Sequence, residues 1–139
     1  MSWIVALLGL SALIFFHELG HYAAARYFGV YVEVFSIGFG KKIASFEWLN
    51  TRWQLSMIPL GGYVKMKGQD DTDPAVVSSD NDSYNTKKPW QRVIILLAGP
   101  VANFALAWVF FYAIALGGPQ TLSPVIGNVV QESPAHIAG

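Results

Sequence analysis

His17-Glu18-Leu19-Gly20-His21 follows directly on WIVALLGLSALIFF (3–16), a run that holds one Ser and no charge. The pentapeptide is an HExxH pattern. On a helix, positions i and i+4 share a face, so the two imidazoles can hold one metal ion with the Glu beside them as a base. The surroundings are unusual for such a motif. Residues 3–28 span 26 positions, or about 39 Å as a helix, which exceeds the ~30 Å hydrocarbon core of a bilayer. The sequence therefore places a metal site at membrane depth, where ionisable groups are costly and are retained for function. Packing of a helix bundle is the plainer explanation for the three side chains. It does not account for their order in a chain with only three His.

Composition agrees with a membrane protein. Of the 139 residues 13% are charged, against about 25% in soluble domains, and the net charge is zero. With no Cys, disulfides and thiolate ligands are excluded, so zinc here needs His and carboxylate. No basic stretch or small-residue cleavage site flanks the first apolar segment, which reads as a retained signal anchor. A second span is expected at 93–116, VIILLAGPVANFALAWVFFYAIAL, 24 residues without a charge. All nine Lys and Arg (26, 41, 42, 52, 65, 67, 87, 88, 92) lie between the two spans or at their inner edges. Positive charge stays cytoplasmic, so 31–92 should face the cytoplasm and both termini the outside.

The connector divides in two. Residues 31–68 read as β, rich in Val, Ile, Phe, Trp and Tyr, with Gly38, Gly40, Gly61 and Gly62 at bends and a hairpin expected at Asn50-Thr51. So apolar a segment fits a sheet that dips into the membrane shielded by protein; a peripheral sheet on the headgroups is the alternative. Residues 69–92 turn polar and acidic and read as a flexible cytoplasmic linker. Its Asp residues lack the spacing of a calcium loop. The last stretch, 119–139, reads as a strand and a helix start, with Ser133 as cap and Pro134 in the first turn.

Zinc catalysis takes three protein ligands and an open position, and lowers the pKa of a bound water to about 7. His17 and His21 supply two ligands, and Glu18 is placed to take the water proton and pass it to the leaving amine. His136, beyond the second span, and the linker Asp residues are poor thirds, so the third ligand is expected outside this chain. Gly99-Pro100 should kink the second span, and Asn103 is its one amide. Counted from residue 28, His21 and His17 lie about 10 and 16 Å deep; counted from residue 93, Asn103 lies about 15 Å deep, level with the motif. Asn103 is a candidate to hold substrate backbone or an oxyanion, or else to bond two helices together.

These residues carry a resemblance. FFHELGHYAAARYFGV (15–30), FSIGFGKKI (35–43), SMIPLGGYVKMKG (56–68), KPWQRVIILLAGPVANF (88–104) and SPVIGNVVQESPAHIAG (123–139) resemble the N-terminal part of a site-2 protease, of the bacterial regulator-of-sigma-E type. The resemblance implies an intramembrane zinc metalloprotease of the inner membrane, with His17 and His21 on Zn²⁺, Glu18 as base, and Asn103, Gly99 and Pro100 in the substrate-binding part. It implies a β region at 31–68 that presents substrate as an added strand, and a PDZ-like domain opening at 119–139. Its substrates are single-span membrane proteins, such as trimmed anti-sigma factors or signal-peptide remnants. The lipid bilayer is a partner and nucleic acid is not; oligomeric state is not legible. The family's third ligand is an Asp in an NPxPxxDG-type motif that this sequence lacks. The isolated chain is therefore expected to be inactive, and a non-catalytic membrane module is the alternative reading.

Overall fold

The computed structural model describes residues 2–69, 78–118, 131 and 134–137. The chain forms helix α1 (Ser2–Tyr27), strands β1 (Val32–Trp48) and β2 (Thr51–Met66), a single 3-10 turn at Tyr84–Thr86, helix α2 (Pro89–Leu116) and a short helix α3 (Pro134–Ile137). It divides into two compact units, Met1–Val109 and Phe110–Gly139. The first holds α1, the sheet and most of α2; the second holds the last turns of α2, and α3.

Both long helices are apolar all round and long enough to cross a membrane. Trp3, Ile4, Val5 and Leu8 on α1, and Val101, Phe104 and Trp108 on α2, are exposed. Water would not tolerate so continuous an apolar surface, whereas lipid does. The helix bounds differ slightly from expectation. α2 starts at Pro89 rather than 93, because Pro is suited to a first helical turn and the Gln91 side chain accepts from the Lys88 N–H there.

β1 and β2 form one small sheet whose pairing is antiparallel overall. Positive φ at Gly38 (87°) and Gly40 (85°) lets β1 double back. As a result 34–37 is flanked on both sides by β2: Phe35 pairs with Val64 on one side and Trp53 on the other. Against 52–55 the offset is constant, Val34 beside Arg52 and Ile37 beside Leu55, so this inner step runs parallel. The hairpin turn is Leu49-Asn50, both with positive φ (51° and 57°). That is one residue before the Asn50-Thr51 expected from sequence. Thr51 already belongs to β2, where it is buried and its hydroxyl donates to the Val32 carbonyl at 2.9 Å.

Phe35 centres the core. Its ring stacks on Trp53 at 4.4 Å and meets Phe15 (5.7 Å) and Tyr22 (5.9 Å) edge-on. Phe15, Leu19 and Tyr22 recur at helical spacing, so one stripe of α1 is committed to the sheet. Along the sheet Ile43, Phe46, Trp48, Leu49, Met57 and Leu60 are exposed apolar residues.

Part of the expected flexible linker is folded. Residues 70–77 lie outside the described residues, but 78–88 is tied to the sheet. The Lys67 ammonium holds Asp80 (2.7 Å) and Asp82 (2.9 Å); the Tyr31 N–H donates to the Asp82 carbonyl and the Tyr84 N–H to that of Lys67. A polar composition concealed these pairings, because partners 13 to 51 residues apart leave no local pattern. The expected PDZ-like opening and the Ser133 cap lie outside the described residues, apart from 131 and α3, whose first residue is Pro134.

Candidate active site

α1 presents different residues on different sides. Phe15, Leu19 and Tyr22 face the sheet, while His17, Gly20 and His21 face α2. Gly20 lies against the Ala98 backbone and the Ala102 side chain, and a Cβ there would overlap both. Small residues at this crossing bring the two helices close, as membrane helix pairs require when no hydrophobic effect drives them together.

The close approach brings the motif's imidazoles onto α2. The His21 Nδ1–H donates to the Ile95 carbonyl at 2.8 Å, which leaves Nε2 as the unprotonated nitrogen. Pro100 sits inside α2 and lacks the N–H that would bond the carbonyl at 96, so α2 departs from regular bonding beside Ile95. The His17 and His21 Nε2 atoms converge at 3.3 Å. Two zinc–nitrogen bonds of about 2.0–2.1 Å at a tetrahedral angle separate their nitrogens by about 3.3–3.4 Å, so the donor pair fits zinc. Gly99 is buried under both rings; a Cβ there would lie 2.9 Å from His17 Nε2 and 2.6 Å from His21 Cε1. Among the described residues, no three His, Cys, Asp or Glu side chains assemble into a complete metal site.

Asn103, placed level with the motif by counting along the sequence, has its amide nitrogen 3.3 Å from His17 Nδ1. It also lines an open cleft of about 360 Å³ with His17, Pro100, Phe104 and Ala107. Of the three α2 residues expected to contact substrate, Pro100 and Asn103 border this cleft, and Gly99 is covered by the imidazoles. Glu18 points elsewhere. A Cβ on Gly62 would come 3.2 Å from the Glu18 side chain, so β2 passes its backbone directly beside Glu18. Sequence reading took Gly61-Gly62 as a bend and gave no sign of this contact, nor of the Ile95 carbonyl as a histidine partner.

A profile described as peptidase family M50 matches residues 5–136. The chain belongs to peptidase family M50. This is the site-2 protease family that the motifs resemble. Relatives agree across the whole chain. A Campylobacter jejuni protein named as a candidate zinc metalloprotease is 48% identical over 139 residues, covering 100% of this chain and 38% of its own length. A similarly named Helicobacter pylori protein is 50% identical over 127 residues, 91% of this chain and 36% of its own. One from Thermotoga maritima is 42% identical over 130 residues, 94% of this chain and 26% of its own. The chain thus spans well under half the length of these relatives.

Proposed function

We propose that the protein is an intramembrane zinc endopeptidase that cleaves single-span membrane proteins, and that this chain carries its metal-binding helix, its base and one wall of its substrate cleft. The observation that carries this reading is the convergence of His17 and His21 Nε2 at 3.3 Å within an apolar helix. Membership of a family whose relatives are named for zinc metalloprotease activity supports it.

His17 and His21 would hold the zinc, with a third ligand from outside the described residues. Zinc there supplies Lewis acidity toward the scissile carbonyl and makes water a nucleophile at neutral pH. Glu18, on the same helix, accepts the proton of the attacking water and returns it to the leaving amine. Asn103 and Pro100, at the cleft, hold the extended segment of substrate. A transmembrane helix hides its amides in internal hydrogen bonds, so it must unwind first, and pairing with a strand of the sheet compensates the freed backbone groups. The passage of β2 beside Glu18 at Gly62 puts sheet backbone next to the base. Trimmed anti-sigma factors and signal-peptide remnants are the substrate class. The site lies in the cytoplasmic half of the inner membrane, with both termini outside.

Glu18→Gln in the full-length protein tests the mechanism: cleavage is lost and zinc stays bound. Undiminished cleavage removes Glu18 from it. A non-catalytic membrane module is the second reading, favoured by the absence of a third ligand among the described residues. Stoichiometric zinc without cleavage of any single-span membrane protein by the full-length protein would select it.

A further inference from the structure

A second cavity, of about 610 Å³, opens on the sheet and shares no residue with the cleft beside His17. Glu33, Glu47, Asn50 and Arg52 are among the residues that line it. Arg52 pairs across the strands with Glu47 on one side and with Val34 on the other, so the charges are brought together by three neighbouring segments of the sheet. The Arg52 guanidinium stands 3.8 Å from the Glu47 carboxylate, and the Lys65 ammonium 3.6 Å from that of Glu33. Both gaps exceed the usual hydrogen-bond length of about 2.7–3.2 Å. The two carboxylates and the N–H groups of Arg52 therefore keep bonding capacity for a further partner.

The fold sets this cavity at one end of the long helices. Only residues 28–31 separate α1 from β1, and the Thr51 hydroxyl bonds the Val32 carbonyl, which returns the hairpin turn to that same end. Trp90 meets Phe28 edge-on at 5.5 Å, so α2 begins level with the end of α1. Tyr27, Trp48 and Trp90 are exposed there, and Arg26, Lys87 and Lys88 flank them in the sequence. Amphipathic aromatic rings and basic residues at the ends of apolar helices mark the headgroup layer of a bilayer.

We propose that this cavity binds the headgroup of an amine-bearing phospholipid of the phosphatidylethanolamine type, its ammonium on the Glu33 and Glu47 carboxylates and its phosphate on the Arg52 guanidinium. The volume is that of a small-ligand site. The charges select the headgroup. A primary ammonium offers three N–H donors to the carboxylates, whereas the quaternary ammonium of phosphatidylcholine offers none. Phosphatidylglycerol brings a phosphate to Arg52 but no cation to offset two carboxylates. Glu47 beside Arg52 sets an anion next to a cation, the complement of a zwitterionic headgroup. Trp48 and Leu49, exposed in the adjoining turn, give the first acyl carbons an apolar surface. The inference rests on the reading of α1 and α2 as membrane spans, and not on the zinc ligands.

The test titrates the full-length protein with phosphatidylethanolamine, phosphatidylcholine and phosphatidylglycerol of identical chains, with bound lipid counted by native mass spectrometry. Phosphatidylethanolamine should bind most tightly. The double variant Glu33→Gln, Glu47→Gln should bring it down to the level of phosphatidylcholine, and Arg52→Gln should weaken both lipids about fivefold. Equal binding of the three lipids by the wild type overturns the proposal, as does a preference that survives in the double variant. Displacement of the lipid by free phosphoethanolamine at equal concentration would assign the cavity to a soluble amine-phosphate instead and also overturns it. A second readout needs no variant. Wild-type protein in nanodiscs is irradiated with a phosphatidylethanolamine that carries a diazirine next to its glycerol, and the labelled peptides are mapped. Label should fall on 31–34 and 47–52. Label on the exposed positions of α2 alone, such as Val101 and Phe104, refutes the headgroup site while leaving the spans intact. Label on neither would mean that the membrane reading itself fails, and the proposal with it.

Discussion

Gly99→Ala adds one carbon at the point where α2 packs against the His17 and His21 rings. The new Cβ would sit 2.6 Å from His21 Cε1 and 2.9 Å from His17 Nε2, where ordinary contact begins at 3.4 Å. The His17 ring must therefore retreat by about 0.5 Å, and the His21 ring by more than 0.8 Å because its Nε2 lies closer still. Metal–ligand distances tolerate only about ±0.2 Å, and His21 cannot retreat freely, because its Nδ1–H is bonded to Ile95 on the same helix as Gly99. Overpacking of this size costs about 1–3 kcal/mol. If that cost falls on the metal-bound geometry, zinc affinity drops about 5–150-fold. The assay is chelator competition on the full-length protein, with thermal unfolding alongside. Gly9→Ala is the control, since a Cβ at Gly9 meets nothing within 4 Å, and it should leave zinc affinity unchanged. Wild-type zinc affinity in Gly99→Ala would mean that α2 does not press on the imidazoles, and would refute the close seating of both rings on Gly99.

Phe35→Ala removes the ring shared by Phe15, Tyr22 and Trp53 and should destabilise the first unit by about 3–5 kcal/mol in denaturant unfolding; a loss below about 1 kcal/mol would show that the sheet is not held to α1 there. Hydrogen bonding from Lys67, then its charge, holds the Asp80 carboxyl below the usual range, and the two Asp partners raise the Lys67 ammonium above its own. Asp80 thus stabilises the fold above the ordinary carboxylate pKa of about 3.9 and loses this as pH falls through its lowered value. Lys67 contributes fully below about pH 10.4 and loses this only as pH rises through its raised value. Protection of the Tyr31 and Tyr84 amides from hydrogen exchange should accordingly be flat through neutral pH and fall in acid. Lys67→Met should lower it at neutral pH, and an unchanged exchange rate would deny the clasp. A cysteine introduced at Ala75 should react with an impermeant thiol reagent only from the cytoplasmic side, and labelling from outside would reverse the topology.

Much of the site was legible locally. The HExxH spacing follows from one helical turn, so the sequence itself put His17 and His21 on a common face, and the uncharged runs around them set both the membrane reading and the depth of Asn103. Counting residues along a straight helix is enough for that, because rise per residue is fixed. The alternation of 43–49 and 52–58 likewise marked the hairpin, although the turn type, set by two positive φ values, shifted it by one residue. What the sequence left open was every relation between segments that share no local pattern. The partners of His21, the pressure of Gly99 on both rings, the passage of Gly62 beside Glu18 and the Lys67 clasp on 78–88 all join residues 13 or more positions apart. The sequence by itself determined which atoms can bind a metal and that Asn103 lies level with them, since both follow from helix geometry and side-chain chemistry. Only the tertiary structure decided which nitrogen of each ring faces its partner, because a tautomer is set by whatever group the fold places against the other side of the ring.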